Sequence, residues 1–383
     1  MDRFTLPLRE TLTRQLARRL RPGFVVALGC LLAFGQPASA SSASEQGELF
    51  LRFKSAFEAG DWASAEERAT ALVRLIESND KQSSRDLVNP LTNLGTVAYR
   101  SGNVDLAIDR YKRAIQLIDG ERAGADSLLI RPLHGLGEAL LVKGMAGEAV
   151  VPLKRAVDLS RNVDGLFNTA QIDIVDALIE AYVATGQLTD AEREHQYVFR
   201  TVETNVGKND LRLLEPLDRY ARWFESIGRY TTARGLHARA LQLAERQSAD
   251  KPIVGVPALR GLSRTWLLEG IYGPEVEPET PVREASEASG PFLSAAGAGR
   301  LNADGERALR FALEIVTNSK PRDDRLYADT LVQFGDWYLI SGSTQRAQAN
   351  YLEAAKVLSA AGAGAERLLE NPRLLVYRAP AAS

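Results

Sequence analysis

Apolar residues recur along the chain at the spacing of paired amphipathic helices. Leu91, Leu94 and Ala98 are three and four residues apart, which places them on one face of a helix. Gly102 then predicts the end of that helix, and Ala107 begins the apolar stripe of a second helix. The pattern therefore predicts a helical hairpin with a small residue where the two helices meet.

This hairpin pattern repeats with a period of 42 residues. Glycines mark the period six times, and a seventh follows 72 residues after the sixth: Gly60, Gly102, Gly144, Gly186, Gly228, Gly270 and Gly342. A large apolar residue stands eleven positions before each glycine: Leu49, Leu91, Leu133, Val175, Leu217, Leu259 and Leu331. An alanine stands five positions after six of them: Ala65, Ala107, Ala149, Ala191, Ala233 and Ala347. Seven repeats are predicted, starting near residues 46, 88, 130, 172, 214, 256 and 328.

The predicted fold is all-α, because the ladders leave no alternating segment long enough for a β-sheet. Seven helical hairpins stacked in chain order would form an α-solenoid over residues 41–358. The last residues, 359–383, would be a C-terminal cap or tail. In it, Leu374–Tyr377 could pack on the final helix, be loose, or add as a strand to a partner's sheet.

Two repeats carry further matching residues. They are Leu94-Gly95, Tyr99, Gly102, Ala107, Tyr111 and Ala114 in one, and Phe334-Gly335, Tyr338, Gly342, Ala347, Tyr351 and Ala354 in the other. In these residues the repeat resembles the tetratricopeptide (TPR) family, and the 42-residue period is similar to that of kinesin light chains. The resemblance covers Gln46 to about Leu358. It implies a right-handed superhelix whose first helices line a concave groove for a protein or peptide partner.

The sixth repeat is interrupted. Its second helix, with Leu309 and Ala312, begins only after a segment from about Tyr272 to Asp304 that contains four prolines and five glutamates. This composition is typical of a flexible acidic loop. Two interpretations stay open: a passive loop, and a lid or partner-docking segment.

The N-terminus predicts export. Six arginines precede the apolar run Gly23 to Gly35 and then Ala38-Ser39-Ala40, the layout of a secretory signal peptide over residues 1–40 that is cleaved after Ala40. The run holds 13 residues, fewer than the roughly 20 of a membrane-spanning helix. We expect a periplasmic protein, with secretion and membrane association as open alternatives.

Charge and residue types exclude several functions. Beyond residue 40 the chain has 41 basic and 47 acidic residues, which argues against nucleic acid as a partner. That part contains no cysteine, only the histidines His134, His195 and His237, and no phosphate-binding loop. We therefore predict no catalytic residue, no metal and no cofactor. His195 and His237 occupy the aromatic position of a second helix and are expected in the core or at its edge, whereas His134 lies on a first helix and is better placed for binding.

The resemblance also implies which positions face a partner. In TPR-like repeats, residues one and five positions after the recurring leucine point into the groove. Together with neighbouring residues, these positions are Thr92, Thr96, Tyr99, Arg100, His134, Glu138, Asp173, Asp176, Glu180, Asp218, Arg222, Arg260 and Arg264.

The predicted groove is divided in charge, with carboxylates on the fourth repeat and arginines on the fifth and sixth. We expect the arginines to face one another and to receive acidic side chains or a C-terminal carboxylate, while Tyr99 and Arg100 hold the other end of the partner. The alternative is a solvated face in which Glu180 pairs with Arg222.

The sequence predicts an exported protein-interaction scaffold or adaptor that is not an enzyme. One alternative is a structural component of an envelope assembly or secretion complex. Another is an enzyme whose site lies in the insertion or the tail. The prediction of an interaction scaffold rests on an analogy of fold, because extended solenoid surfaces bind partners.

Overall fold

The structure is a computed structural model that describes residues 37–79, 82–119, 126–273 and 298–360, without the side chains of residues 37–43 and 298–302. Most of the predicted signal peptide, of the acidic insertion and of the C-terminal tail lies outside the described residues. Within the described part, no helix is both long and apolar enough to cross a membrane.

The described residues form α-helices joined by turns, and none of them lies in a β-strand. The helices are α1 (Pro37–Glu58), α2 (Trp62–Glu77), α3 (Val88–Arg100), α4 (Val104–Asp119), α5 (Ile130–Val142), α6 (Ala146–Asp164), α7 (Ile172–Ala184), α8 (Leu188–Val206), α9 (Leu214–Ser226), α10 (Tyr230–Gln247), α11 (Val256–Tyr272), α12 (Ala298–Asn318), α13 (Asp324–Ile340) and α14 (Thr344–Ala360). The all-α prediction is confirmed for this part of the chain.

The chain divides into two compact units, Met1–Thr201 and Val202–Ser383, and the division falls within α8. In the first unit, helices α1 to α7 contact one another in chain order, and the first helices α3, α5 and α7 also lie side by side. In the second unit, α9 to α14 follow the same order, with the first helices α9, α11 and α13 side by side. Each unit is therefore an α-solenoid of stacked helical hairpins.

The apolar ladders form the core of both units. The recurring large residue is almost fully buried at Leu91, Leu133, Val175, Leu217 and Leu259. The recurring alanine is buried too, at Ala65, Ala107, Ala149, Ala191, Ala233 and Ala347. Small side chains at these positions let the helices of a hairpin approach closely, as the pattern predicts.

The glycine ladder ends helices at six of its seven positions. Gly60, Gly102, Gly144, Gly186, Gly228 and Gly342 have φ between 73° and 87°, a conformation that glycine adopts without steric cost. The prediction for Gly270 is wrong, because α11 continues to Tyr272 and ends at Gly273, whose φ is 93°.

The insertion is shorter than predicted at its C-terminal side. Helix α12 begins at Ala298, and Asp304, the predicted end of the insertion, is buried within that helix. The next residue, Gly305, lies where α12 packs closely on Trp337 of α13. A Cβ added to Gly305 would lie 2.3 Å from the Trp337 ring. The second helix of the sixth repeat therefore packs through a glycine where other repeats use the recurring alanine.

Candidate functional site

Polar side chains connect neighbouring first helices in both units. In the first unit, Arg131 of α5 donates a hydrogen bond to the Asn93 side-chain oxygen of α3, at 3.1 Å. In the second unit, Arg264 of α11 bonds to Glu225 of α9, and Arg260 of α11 bonds to Gln333 of α13. We use the term first-helix surface for the exposed and half-exposed residues of α3, α5 and α7 in the first unit, and of α9, α11 and α13 in the second.

Two of the predicted groove residues are buried, and for them the prediction is wrong. Thr92 is 2% exposed, and its hydroxyl donates to the Val88 carbonyl oxygen at 2.7 Å. His134, at the same position of the next repeat, is 6% exposed, and its Nε2 lies 3.8 Å from the Glu138 carboxylate. In these two repeats the residue directly after the recurring leucine is covered, whereas the equivalent residues Asp176, Asp218 and Arg260 are half-exposed.

The position five residues after the recurring leucine is more accessible. Thr96, Glu138, Glu180 and Arg264 are half-exposed and Arg222 is exposed. The other predicted groove residues of the first unit are accessible too: Tyr99, Arg100 and Asp176 are half-exposed and Asp173 is exposed. The helix α7 thus presents carboxylates on one face, as its spacing predicts.

Thr96 forms a hydrogen bond with the hydroxyl of the buried Tyr111. It accepts a hydrogen bond from the Tyr111 hydroxyl at 3.1 Å and donates to the Thr92 carbonyl oxygen at 2.9 Å. The Tyr111 ring lies against two glycines, since a Cβ at Gly95 or Gly135 would come within 2.7 Å or 2.4 Å of it. Thr96 therefore stabilises the hairpin and at the same time borders the first-helix surface.

A buried ion cluster lies behind the first-helix surface of the second unit. Glu225 is 3% exposed and receives two hydrogen bonds from Arg264, at 2.7 and 3.0 Å. The fully buried His237 places its Nε2 2.9 Å from the same carboxylate. Burial alone would raise the pKa of Glu225, but the Arg264 charge and the His237 hydrogen bond outweigh burial and lower that pKa to about 2.

Three arginines of the second unit were predicted to bind a partner. Each of them has a hydrogen-bond acceptor within the chain. Arg264 is neutralised by Glu225. Arg260 donates to the Gln333 side chain and to a backbone carbonyl of α13, both at 3.1 Å, and Gln333 donates back to the Arg260 carbonyl at 2.7 Å. Arg222 is exposed and donates to Asp218 at 2.7 Å. Two of the three arginines, Arg264 and Arg222, are therefore paired with carboxylates of the chain, whereas Arg260 is held by neutral acceptors.

Sequence reasoning missed Glu225, although a signal for it exists. Glu225 stands three residues before the ladder glycine Gly228. The same position in the other repeats is aromatic or aliphatic: Phe57, Tyr99, Leu141, Val183, Leu267 and Leu339. A single carboxylate in an otherwise apolar column sets Glu225 apart from its equivalents, but the column does not predict its burial, because Leu267 is buried and the other five are half-exposed or exposed.

The remaining histidine lies where the pattern predicts, on a second helix, and is half-buried as His195. Within the described ranges, no three His, Cys, Asp or Glu side chains come together in a way that could hold a metal ion.

Comparison with known proteins finds likeness in solved structures. No family model matches the chain, and no curated protein matches it in sequence. BtubC from P. vanneervenii is 14% identical, with 68% of this chain and 90% of that chain covered and a TM-score of 0.42. The TPR-like repeats of a Podosopora anserina kinesin light chain are 15% identical, with 59% and 95% covered and a TM-score of 0.43. The TPR2AB domain of yeast Sti1, in complex with pHSP90, is 13% identical, with 85% and 97% covered and a TM-score of 0.29.

The fold and the first-helix surface define a class, the TPR-like α-solenoids. The chain shares with that class the helical hairpin, the glycine that ends the first helix and the small residue of the second.

Proposed function

We propose that this protein is an exported scaffold or adaptor that holds a partner protein or peptide along its first-helix surface. The observation that supports this most directly is the arrangement of the first helices, which lie side by side in each unit and present half-exposed charged side chains in register. Such a surface offers a row of polar contacts to an extended segment.

The charges indicate the chemistry of the partner. In the first unit, Asp173, Asp176 and Glu180 favour basic side chains, whereas in the second unit exposed Arg222 favours an acidic segment. Arg264 is already neutralised by Glu225 and contributes less than the sequence predicted. We therefore propose basic side chains for a segment bound at the first unit and acidic side chains for a segment bound at the second.

Paired variants test this proposal. Asp173→Asn and Arg222→Ala alter exposed first-helix residues, and Asp109→Asn and Arg246→Ala are matched controls at exposed positions of the second helices α4 and α10. All four should fold, since exposed substitutions change the free energy of unfolding by about 0.5 kcal/mol or less. The first-helix variants should capture envelope proteins about two- to fivefold less well, with a weaker salt dependence. Equal capture by all four variants contradicts the proposal.

Export is part of the proposal and has its own test. The arginine-rich start, the apolar run and Ala38-Ser39-Ala40 support a cleaved signal peptide. N-terminal sequencing of the protein from a periplasmic fraction should begin at Ser41. An intact Met1 in a cytosolic fraction would refute it.

The alternative of a structural component in an envelope assembly predicts a different behaviour. Such a protein should sediment with a membrane complex of fixed stoichiometry, whereas an adaptor exchanges between bound and free forms. The alternative of an enzyme in the insertion or tail would be supported only if catalytic activity found in the captured fraction were also found in the purified chain alone.

A further inference from the structure

An open cleft of about 390 Å³ lies between the second helices α12 and α14 of the second unit. Phe334 and Tyr338 of α13 lie at its base, with ring centroids 5.7 Å apart. The side walls include Leu313, Glu314 and Thr317 of α12 and Asn350 of α14. We call this site the second-helix cleft. Apolar rings with a few polar groups around them are the usual composition of a binding site.

At three other junctions an ion pair bridges consecutive second helices. Each carboxylate stands 25 residues before a ladder glycine and each arginine eleven residues after it: Glu77 with Arg113, Asp119 with Arg155, and Glu203 with Arg239. The nitrogen and oxygen atoms of these pairs are 2.5 to 2.7 Å apart. Relative to Gly342, the same positions hold Thr317 and Glu353. These two residues cannot form the bridge, so α12 and α14 lack it.

The missing arginine leaves negative charge at the second-helix cleft. Arg310, which also lines it, is already paired with Glu306 at 2.5 Å. Glu353, one turn after Asn350, is 3.9 Å from Lys356 of its own helix, at the limit of an ion pair. Exposed Glu314 has no cation paired with it in the part of the chain that the structure describes. An arginine supplied from elsewhere would therefore be stabilised here.

The sequence beyond α14 contains a segment of matching composition. The apolar residues Leu374–Tyr377 stand between two arginines, and we call Arg373–Arg378 the tail segment. It contains no acidic residue and lies outside the described residues. The other apolar pair of this region, Leu368 and Leu369, is flanked by Glu366 and Glu370, which the negative charge of the cleft would repel.

The tail segment is long enough to reach the second-helix cleft. Asn350 lies ten residues before the end of α14 at Ala360, which is about 15 Å along the helix. The thirteen residues from Ala360 to Arg373 span about 20 Å as a flexible chain and up to about 43 Å when extended. A segment attached at such a distance has an effective concentration in the millimolar range. Contacts too small to hold a separate protein are therefore sufficient to hold the tail segment.

We propose that the tail segment binds in the second-helix cleft of its own chain. Apolar side chains of Leu374–Tyr377 lie against Phe334 and Tyr338, and the flanking arginines lie near Glu314 and Glu353. An arginine of the tail thus replaces the bridge that the last two repeats lack. This inference does not depend on the proposed function, because the second-helix cleft shares only Tyr338 with the first-helix surface.

Disulfide trapping in the full chain tests the proposal. Cys30, the one cysteine of the sequence, is replaced by serine so that only introduced cysteines react. One variant carries Asn350→Cys with Leu375→Cys, and the control carries Leu352→Cys with Leu375→Cys. Leu352 is 57% exposed and does not line the cleft. It is two residues from Asn350, about 200° around the helix and at nearly the same distance from Ala360.

Under mild oxidation, the intramolecular disulfide should form about tenfold faster with the cysteine at position 350 than with the more exposed one at position 352. Gel mobility without reductant and mass spectrometry measure the two rates. Equal rates would show a tail that moves freely, and a faster reaction at position 352 would place the tail on the outer face of the last helix. Disulfides that only join two chains would indicate a second copy. Each of these three results overturns the proposal.

A charge reversal tests the role of the arginines in the same variant. Glu314→Lys should slow formation of the disulfide about fivefold, and raising the salt from about 50 mM to about 500 mM should slow it too. Glu245→Lys is the matched control, an exposed carboxylate of α10, and should leave the rate unchanged. If Asn350→Cys fails to fold, Thr317→Cys on the opposite wall takes its place. A rate that Glu314→Lys does not change overturns the proposal.

Discussion

The second helices of the second and fifth repeats place a ring at the same position, Tyr111 in α4 and His237 in α10. Both rings lie against a glycine of the following first helix. A Cβ at Gly135 would come within 2.4 Å of Tyr111, and a Cβ at Gly261 would come within 2.3 Å of His237. The close approach of the helices is therefore common to the two units.

The two rings differ in the chemistry of their partner. Tyr111 bonds to the neutral Thr96, and burial raises the pKa of the Tyr111 hydroxyl, so this contact is uncharged at ordinary pH. His237 instead bonds to the ionised Glu225, which also receives Arg264. The repeat thus fixes where the ring lies but leaves its partner free to vary. The second unit should accordingly be the more sensitive to changes in charge.

The largest expected effect comes from removing the charge of Glu225. Glu225→Gln leaves Arg264 and His237 facing a neutral amide in a buried site, which should lower the free energy of unfolding by about 3 to 5 kcal/mol. Urea denaturation followed by circular dichroism measures this change. Glu138→Gln is the matched control, since Glu138 is half-exposed on α5 and should change stability by less than about 1 kcal/mol. Equal losses for the two variants would contradict the comparison.

The Glu225 contact should also make stability depend on pH, whereas the Tyr111 contact should not. The pKa of Glu225 falls from its ordinary 4.5 to about 2 on folding. A lowered pKa means that the ionised form stabilises the fold, so this contribution is fully present above about pH 4.5 and is lost as the pH falls toward 2. The contribution is about 3 kcal/mol.

The measurement compares urea denaturation of the wild type and of Glu225→Gln at about pH 7 and about pH 3. The difference in stability between the two proteins should shrink at the lower pH. A difference that stays constant would show that Glu225 is not the group that titrates.

The smallest expected effect comes from removing the uncharged hydrogen bond between Tyr111 and Thr96. Tyr111→Phe removes one hydroxyl and its hydrogen bond to Thr96, which should cost about 1 kcal/mol. The loss should be independent of pH between about 3 and about 7, because the Tyr111 hydroxyl, whose pKa burial raises, does not ionise in that range. Thermal denaturation of the wild type and of Tyr111→Phe at both pH values measures this loss. A pH-dependent loss would mean that a charged group also participates in the contact.

Much of the fold could be predicted because repetition shows which positions matter. Leu91 and Ala107 have equivalents at fixed spacing, and those positions are the buried ones. Gly270 was predicted wrongly because a glycine permits a helix to end without requiring it. In this repeat α11 continues to Tyr272 and ends at Gly273, three residues beyond the glycine that the spacing singles out.

The candidate site could be predicted only in part. Asp173 and Arg222 are accessible as expected, since a charged residue at a repeated helix position usually faces water. Thr92 was predicted wrongly and Glu225 was missed, because contacts with other repeats do not show in the local pattern. Arg264 lies 39 residues from Glu225 in the chain, and no local pattern indicates that the two side chains meet.

The pair formed by Glu225 and Arg264 also constrains how this chain can evolve. Repeat proteins are often pictured as gaining, losing or exchanging whole repeats as interchangeable modules. Here one half of a buried ion pair belongs to the fifth repeat and the other half to the sixth. A recombination event that replaces either repeat alone would leave a buried charge without its counterion. In lineages derived from this chain, Glu225 and Arg264 should therefore be inherited together or be lost together.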